Sequence, residues 1–151
     1  MTNLSENLTI VLLVLGLVTV TGVGSMIWAY QGGGSVAVLF LEVIPPPITL
    51  EESSRRSFET GVRDYCSGHY RRAITAFSQV IKRSPDCPEA HHNYALAMAN
   101  QRQDDKATAA FLTTADLYAK QDDRAGVDLV KSHLIALRQR KRDREARSTK
   151  F

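Results

Sequence analysis

Residues 54–121 align with themselves at a shift of 34: Gly61 falls on Ala95, Ala73 on Ala107 and Phe77 on Phe111. A fixed period of this length restricts the fold more than any other feature of the chain. A unit of about 34 residues cannot bury its own apolar face and must stack on a neighbouring unit. The pattern within one unit reads as two helices. Gly61 and Ala73 are small where the first helix crosses the second, so the two axes approach closely. Gly68 sits in the turn between them, where freedom at positive φ helps. Tyr70 and Phe77 fill the space around the crossing, and Pro85 ends the second helix because it cannot continue the backbone ladder.

The second unit, 88–121, keeps Ala95, Ala107 and Phe111 but is degenerate. Arg102 and Asp104 stand where the first unit has glycine and an aromatic residue, and Ala119 stands at the proline position. From about residue 122 one further helix is expected, running to about Arg147. Val127, Val130, Leu134 and Leu137 recur there at three- and four-residue intervals, and Asp122 or Asp123 is placed to cap its start. A helix with one apolar and one polar face is how such a stack ends. About five helices are expected, led by a turn near Leu50–Ser54. With Gly61, Gly68, Tyr70, Ala73, Phe77 and Pro85 in these positions, the 54–87 unit resembles a tetratricopeptide repeat. The expected fold class is all-α: an N-terminal transmembrane helix, a short tetratricopeptide helical-hairpin array over 51–137 and a C-terminal capping helix.

The resemblance implies a binding surface. Arrays of this family hold an extended peptide, or a helix of a partner, on the inner faces of their first helices. By repeat position that face takes in Arg55, Phe58, Val62 and Tyr65 from the first unit, and Glu89, His92, Leu96 and Asn100 from the second. Aromatic anchors of this kind often dominate interfaces. The alternative is that several of these residues pack against the capping helix or the Pro-rich linker. One subfamily grips a partner's C-terminal carboxylate with Lys and Asn at fixed positions. Here Phe58 and Val62 occupy the first pair and Asn93 alone remains, so that mode is not expected.

The charge is unevenly laid out. Between Leu8 and Ile44 the only acidic or basic side chain is Glu42, apart from the weakly acidic Tyr30. After a flank of residues 1–7, the stretch 8–30 is uncharged and long enough to cross about 30 Å of hydrocarbon as a helix. Trp28 and Tyr30 stand at one end, where amphipathic rings favour the headgroups. A cleaved signal peptide fits less well, because residues 1–7 carry Glu6 and no Lys or Arg. The expectation is a single-pass anchor with the C-terminal domain facing the cytoplasm, or the stroma, and a plasma or thylakoid membrane. Residues 31–50 are expected as a linker. Its segment 36–44 is apolar but too short to span, and would lie in the interface, continue the anchor or form a short strand. Pro45, Pro46 and Pro47 are expected to form a stiff spacer holding the domain off the bilayer.

No enzyme site is expected. His91 and His92 point about 100° apart on a helix and lack a third ligand, which argues against a metal. Cys66 and His69 lack a base-orienting partner for nucleophilic chemistry. Gly32, Gly33 and Gly34 lack the Lys that completes a phosphate loop, so no cofactor is expected. Cys66 and Cys87 are expected as free thiols, both buried or half-buried. The tail 138–151 is basic: between Arg138 and Lys150 seven Lys or Arg face only Asp143 and Glu145. It reads as a solvated helix end, or as a contact for anionic lipid headgroups. Nucleic acid is not an expected partner, since aromatic residues are not interleaved there.

The layout resembles that of membrane-anchored tetratricopeptide assembly factors, such as the thylakoid protein that assists photosystem I assembly. The implied function is an interaction module that binds a peptide or helix of a membrane-complex subunit and recruits or assembles the complex. The alternatives are a structural subunit of such a complex and a targeting-peptide receptor. The import receptors of the mitochondrial outer membrane share the layout, but their basic stretch after the anchor is replaced here by Gly, apolar residues and Pro.

Overall fold

The computed structural model describes residues 38–148. The expected span 8–30, its flank 1–7, residues 31–37 and the last three residues lie outside the described residues. Among the described residues no helix is long and apolar enough to cross a membrane.

Five α-helices follow one another: α1 (Glu52–Cys66), α2 (Tyr70–Arg83), α3 (Pro88–Asn100), α4 (Asp104–Lys120) and α5 (Arg124–Ser148). No strand occurs among the described residues. Each helix packs on its neighbours in chain order, with a slight additional contact between α1 and α3. That nearest-neighbour pattern is the hallmark of a solenoid. Gly61 accounts for the closeness of the α1–α2 crossing, since a Cβ there would meet the Phe77 ring at 2.7 Å. Phe77 is fully buried and stands edge-on to Phe58, ring centres 5.5 Å apart. Ala73, Ala95 and Ala107 are likewise fully buried.

The ends of the helices follow local chemistry. Gly68 has φ +75°, and Arg102, its equivalent 34 residues on, adopts φ +63° at the cost of an L-residue in that region. Pro88 opens α3, where a missing N–H costs nothing, and Glu89 complements the positive end of the helix. Asp123 caps α5, its Oδ1 accepting from the Gly126 amide at 2.9 Å. Gly126 itself fits under Tyr118, whose ring would lie 2.5 Å from an added Cβ.

Three expectations need correction. The compact unit that contains the array begins at Val38, so much of the stretch expected as linker belongs to it. Leu39, Val43 and Ile44 pack against the core and Phe40 is buried in it. This segment is extended but has no sister strand, because side chains of α1 and α3 satisfy its backbone instead. Pro47 likewise lies against the array, its carbonyl accepting from the Arg55 guanidinium at 3.3 Å, so it is no free spacer. Second, the basic tail is not a solvated end throughout. Arg140 and Arg144 of α5 both pair with the buried carboxylate of Asp104. Third, Cys87 is buried but Cys66 is exposed.

Candidate functional site

Asn93 and Asn100 lie seven residues apart on α3, close to two helical turns, and so project from one face. Both are buried, which a primary amide tolerates only when its oxygen and nitrogen find partners. They find them on residues 39–44. Asn93 Oδ1 accepts from the Ile44 amide at 2.7 Å, and its Nδ2 donates to the Ile44 carbonyl at 2.8 Å. Asn100 repeats the arrangement one step along: Oδ1 accepts from the amides of Leu39 and Phe40, each at 3.1 Å, and Nδ2 donates to the Phe40 carbonyl at 2.8 Å. The Tyr65 hydroxyl of α1 donates to the same carbonyl at 2.7 Å. Burial of Tyr65 raises its pKa well above the ordinary tyrosine value, which keeps the hydroxyl a donor.

Each asparagine thus pairs with both the N–H and the C=O of one residue, Ile44 for Asn93 and Phe40 for Asn100. Four extended residues reach about 13 Å, and seven helical residues rise about 10 Å. The two clamps therefore match a slightly relaxed extended strap. It runs opposite to α3, since residue 40 meets Asn100 and residue 44 meets Asn93. Ile44 precedes Pro45, which biases it toward extended backbone before any contact forms.

Side chains add selectivity. The Phe40 ring enters a slot lined by His133 of α5 and Phe111 of α4, at centre distances of 4.6 and 6.0 Å. Leu41, next to it, is 81% exposed. Beneath the slot His92 is fully buried, with Nε2 2.8 Å from His133 Nδ1 and Nδ1 3.3 Å from the Tyr118 hydroxyl. Burial, then the neighbouring His133, pushes the His92 pKa down to about 3. Burial also lowers that of His133, partly offset by the negative charge of Glu42 on the strap. Both rings are accordingly neutral near pH 7 and serve as packing surface and hydrogen-bonding pair.

The residues expected for the inner face divide into three sets. Tyr65 and Asn100 hold Phe40, and Arg55 donates to the carbonyls of Pro47 and Ile48 at 3.3 and 2.8 Å. Phe58 and Leu96 are buried in the core between helices, and Val62 is packed against it. His92 lies under the slot, while Glu89 accepts from the Cys87 thiol at 3.3 Å. Burial pushes that thiol up to about 12, so it is a packed, unreactive group. His91 turns away from His92 and meets the Pro85 carbonyl at 2.9 Å. Asn93, His133 and Tyr118 were not among the expected residues. Asn93 and Asn100 share α3 at a two-turn spacing, and that was the available signal.

No family model matches the chain. Over 68 residues, 45% of its length, it is 34% identical to a TPR repeat-containing protein of Picosynechococcus sp.. The chain covers 18% of that relative, so it spans less than a fifth of the relative's length. The matched length equals two units of 34 residues. The sequence similarity and the five-helix nearest-neighbour stack agree in likening this chain to tetratricopeptide-repeat proteins.

Proposed function

We propose that the chain is a non-enzymatic protein–protein interaction module, anchored in a membrane by residues 8–30, that helps to recruit or assemble a membrane protein complex. The observation that supports a binding role is the pair of clamps, Asn93 and Asn100, each presenting both a donor and an acceptor to the backbone of one residue. Backbone recognition of this kind suits an extended segment of a partner, with side-chain slots supplying selectivity. The similarity to a TPR repeat-containing protein supports the same reading. Anchoring rests on the uncharged run between Leu8 and Tyr30. The cytoplasmic or stromal orientation rests on charge asymmetry: residues 1–7 carry no Lys or Arg, whereas Arg55, Arg56, Arg63, Arg71 and Arg72 follow the run.

The test is purification of the tagged full chain in mild detergent beside an Asn93→Ala/Asn100→Ala variant. A subunit or assembly intermediate of a membrane complex is expected with the wild type and not with the variant. The same stoichiometric partners on both would overturn the groove reading and favour a structural subunit. Alkaline extraction of membranes tests the anchor: the full chain is expected to stay in the pellet, and its release would contradict the reading.

A further inference from the structure

The groove is already filled, and by this chain's own residues. We propose that the strap, residues 38–47, is an internal ligand that a partner's extended segment must displace; the inference rests on the groove reading above.

Three observations carry it. The clamps hold backbone and not side chains: Asn93 and Asn100 together engage the amides of Leu39, Phe40 and Ile44 and the carbonyls of Phe40 and Ile44. Nothing in them is specific to this strap, so another extended segment satisfies them equally. The clamped peptide units are interior to the chain, so the groove needs neither a free carboxylate nor a free amine. The strap also remains attached to the array through a short exposed connection. Ile48 is 94% exposed and Thr49 is exposed, and only Leu50 is buried before α1 begins. A strap so tethered competes at an effective concentration on the order of millimolar.

The strap also specifies the displacing segment. It must carry N–H groups at both clamped positions, four residues apart, which excludes proline at either. The first takes a large ring into the slot between Phe111 and His133, as Phe40 does. The second takes an aliphatic side chain, as Ile44 does. The partner is therefore an extended, apolar stretch within a polypeptide.

The experiment uses the full chain in detergent and a fluorescent synthetic peptide of residues 38–47 as probe. Binding is followed by anisotropy for the wild type and for a Phe40→Asp/Ile44→Asp variant, which loosens the strap and leaves every clamp residue in place. The variant is expected to bind the peptide at least 10-fold more tightly than the wild type, and to lose that binding when Asn93→Ala/Asn100→Ala is added. Equal binding to wild type and variant would leave the groove as a binding site but overturn the strap as its internal ligand. Absence of binding to a folded variant would overturn both.

A second variant does not depend on how the aspartates affect folding. It carries a protease site at Ile48–Thr49 and is cut after folding. Added peptide is expected to exchange into the groove of the cut chain and not of the uncut one. Exchange into both at equal rates, or into neither, would contradict the proposal.

Discussion

Arg102 has φ +63° where Gly68, 34 residues earlier, has φ +75°. The degenerate repeat has kept the shape of its turn and lost the residue that adopts it without strain. Arg102→Gly is therefore expected to raise stability by about 1 kcal/mol, read as a rightward shift of the urea midpoint with unchanged slope. A leftward shift would mean that the arginine side chain contributes more than its backbone costs.

His92 makes the stability of the fold depend on pH. Its folded pKa lies near 3, below the ordinary value of 6.5, so the unfolded chain binds the proton more readily. Stability is thus fully present above about pH 6.5 and declines as the pH falls toward 3, by up to about 1.4 kcal/mol per pH unit. The lowered pKa values of His133 and His91 act in the same direction. His92→Gln is expected to flatten part of that slope in thermal melts between pH 7 and 4; an unchanged slope would contradict the assignment. The small residues at the helix crossings were legible in the sequence because shape alone dictates them. The role of Asn93 was not, because an asparagine on a helix acquires meaning only from what lies opposite.

Among the elements, α5 is the one whose length the apolar pattern gives and whose attachment it does not. Val130 and Leu137 are buried as the three- and four-residue spacing requires. The helix end is held differently: Arg140 and Arg144 converge on Asp104, which occupies the place of Tyr70 in the first unit, and Lys141 lies 3.4 Å from Asp105. Charge counting sees a basic run and has no means of finding an acid about 36 residues away. Burial disfavours the charged form of Arg140, and Asp104 opposes that effect. Asp104→Asn should therefore leave Arg140 without its counter-charge and cost about 3 kcal/mol. Loss of amide protection in the last turns of α5 would accompany it. A variant as stable as the wild type would show that the pair is incidental. The strap was equally hidden: its β-branched residues suggested a strand, but the partners of its backbone are side chains and so leave no period-two signature elsewhere.

At the scale of the molecule, the 34-residue echo was enough to predict a helical stack with a capping helix. It was not enough to predict that the stack encloses a segment of its own chain. Period and composition describe elements; which surface covers which depends on polar groups that are satisfied only in three dimensions. This array grips a peptide backbone through Asn93 and Asn100. Amide hydrogen exchange on the full chain, resolved at residues 39–44, tests it most directly. The amides of Leu39, Phe40 and Ile44 are expected to exchange slowly, and all three to lose protection in the Asn93→Ala/Asn100→Ala variant while α1 to α4 stay protected. Exchange of all three at the rate of an unstructured peptide in the wild type would contradict it.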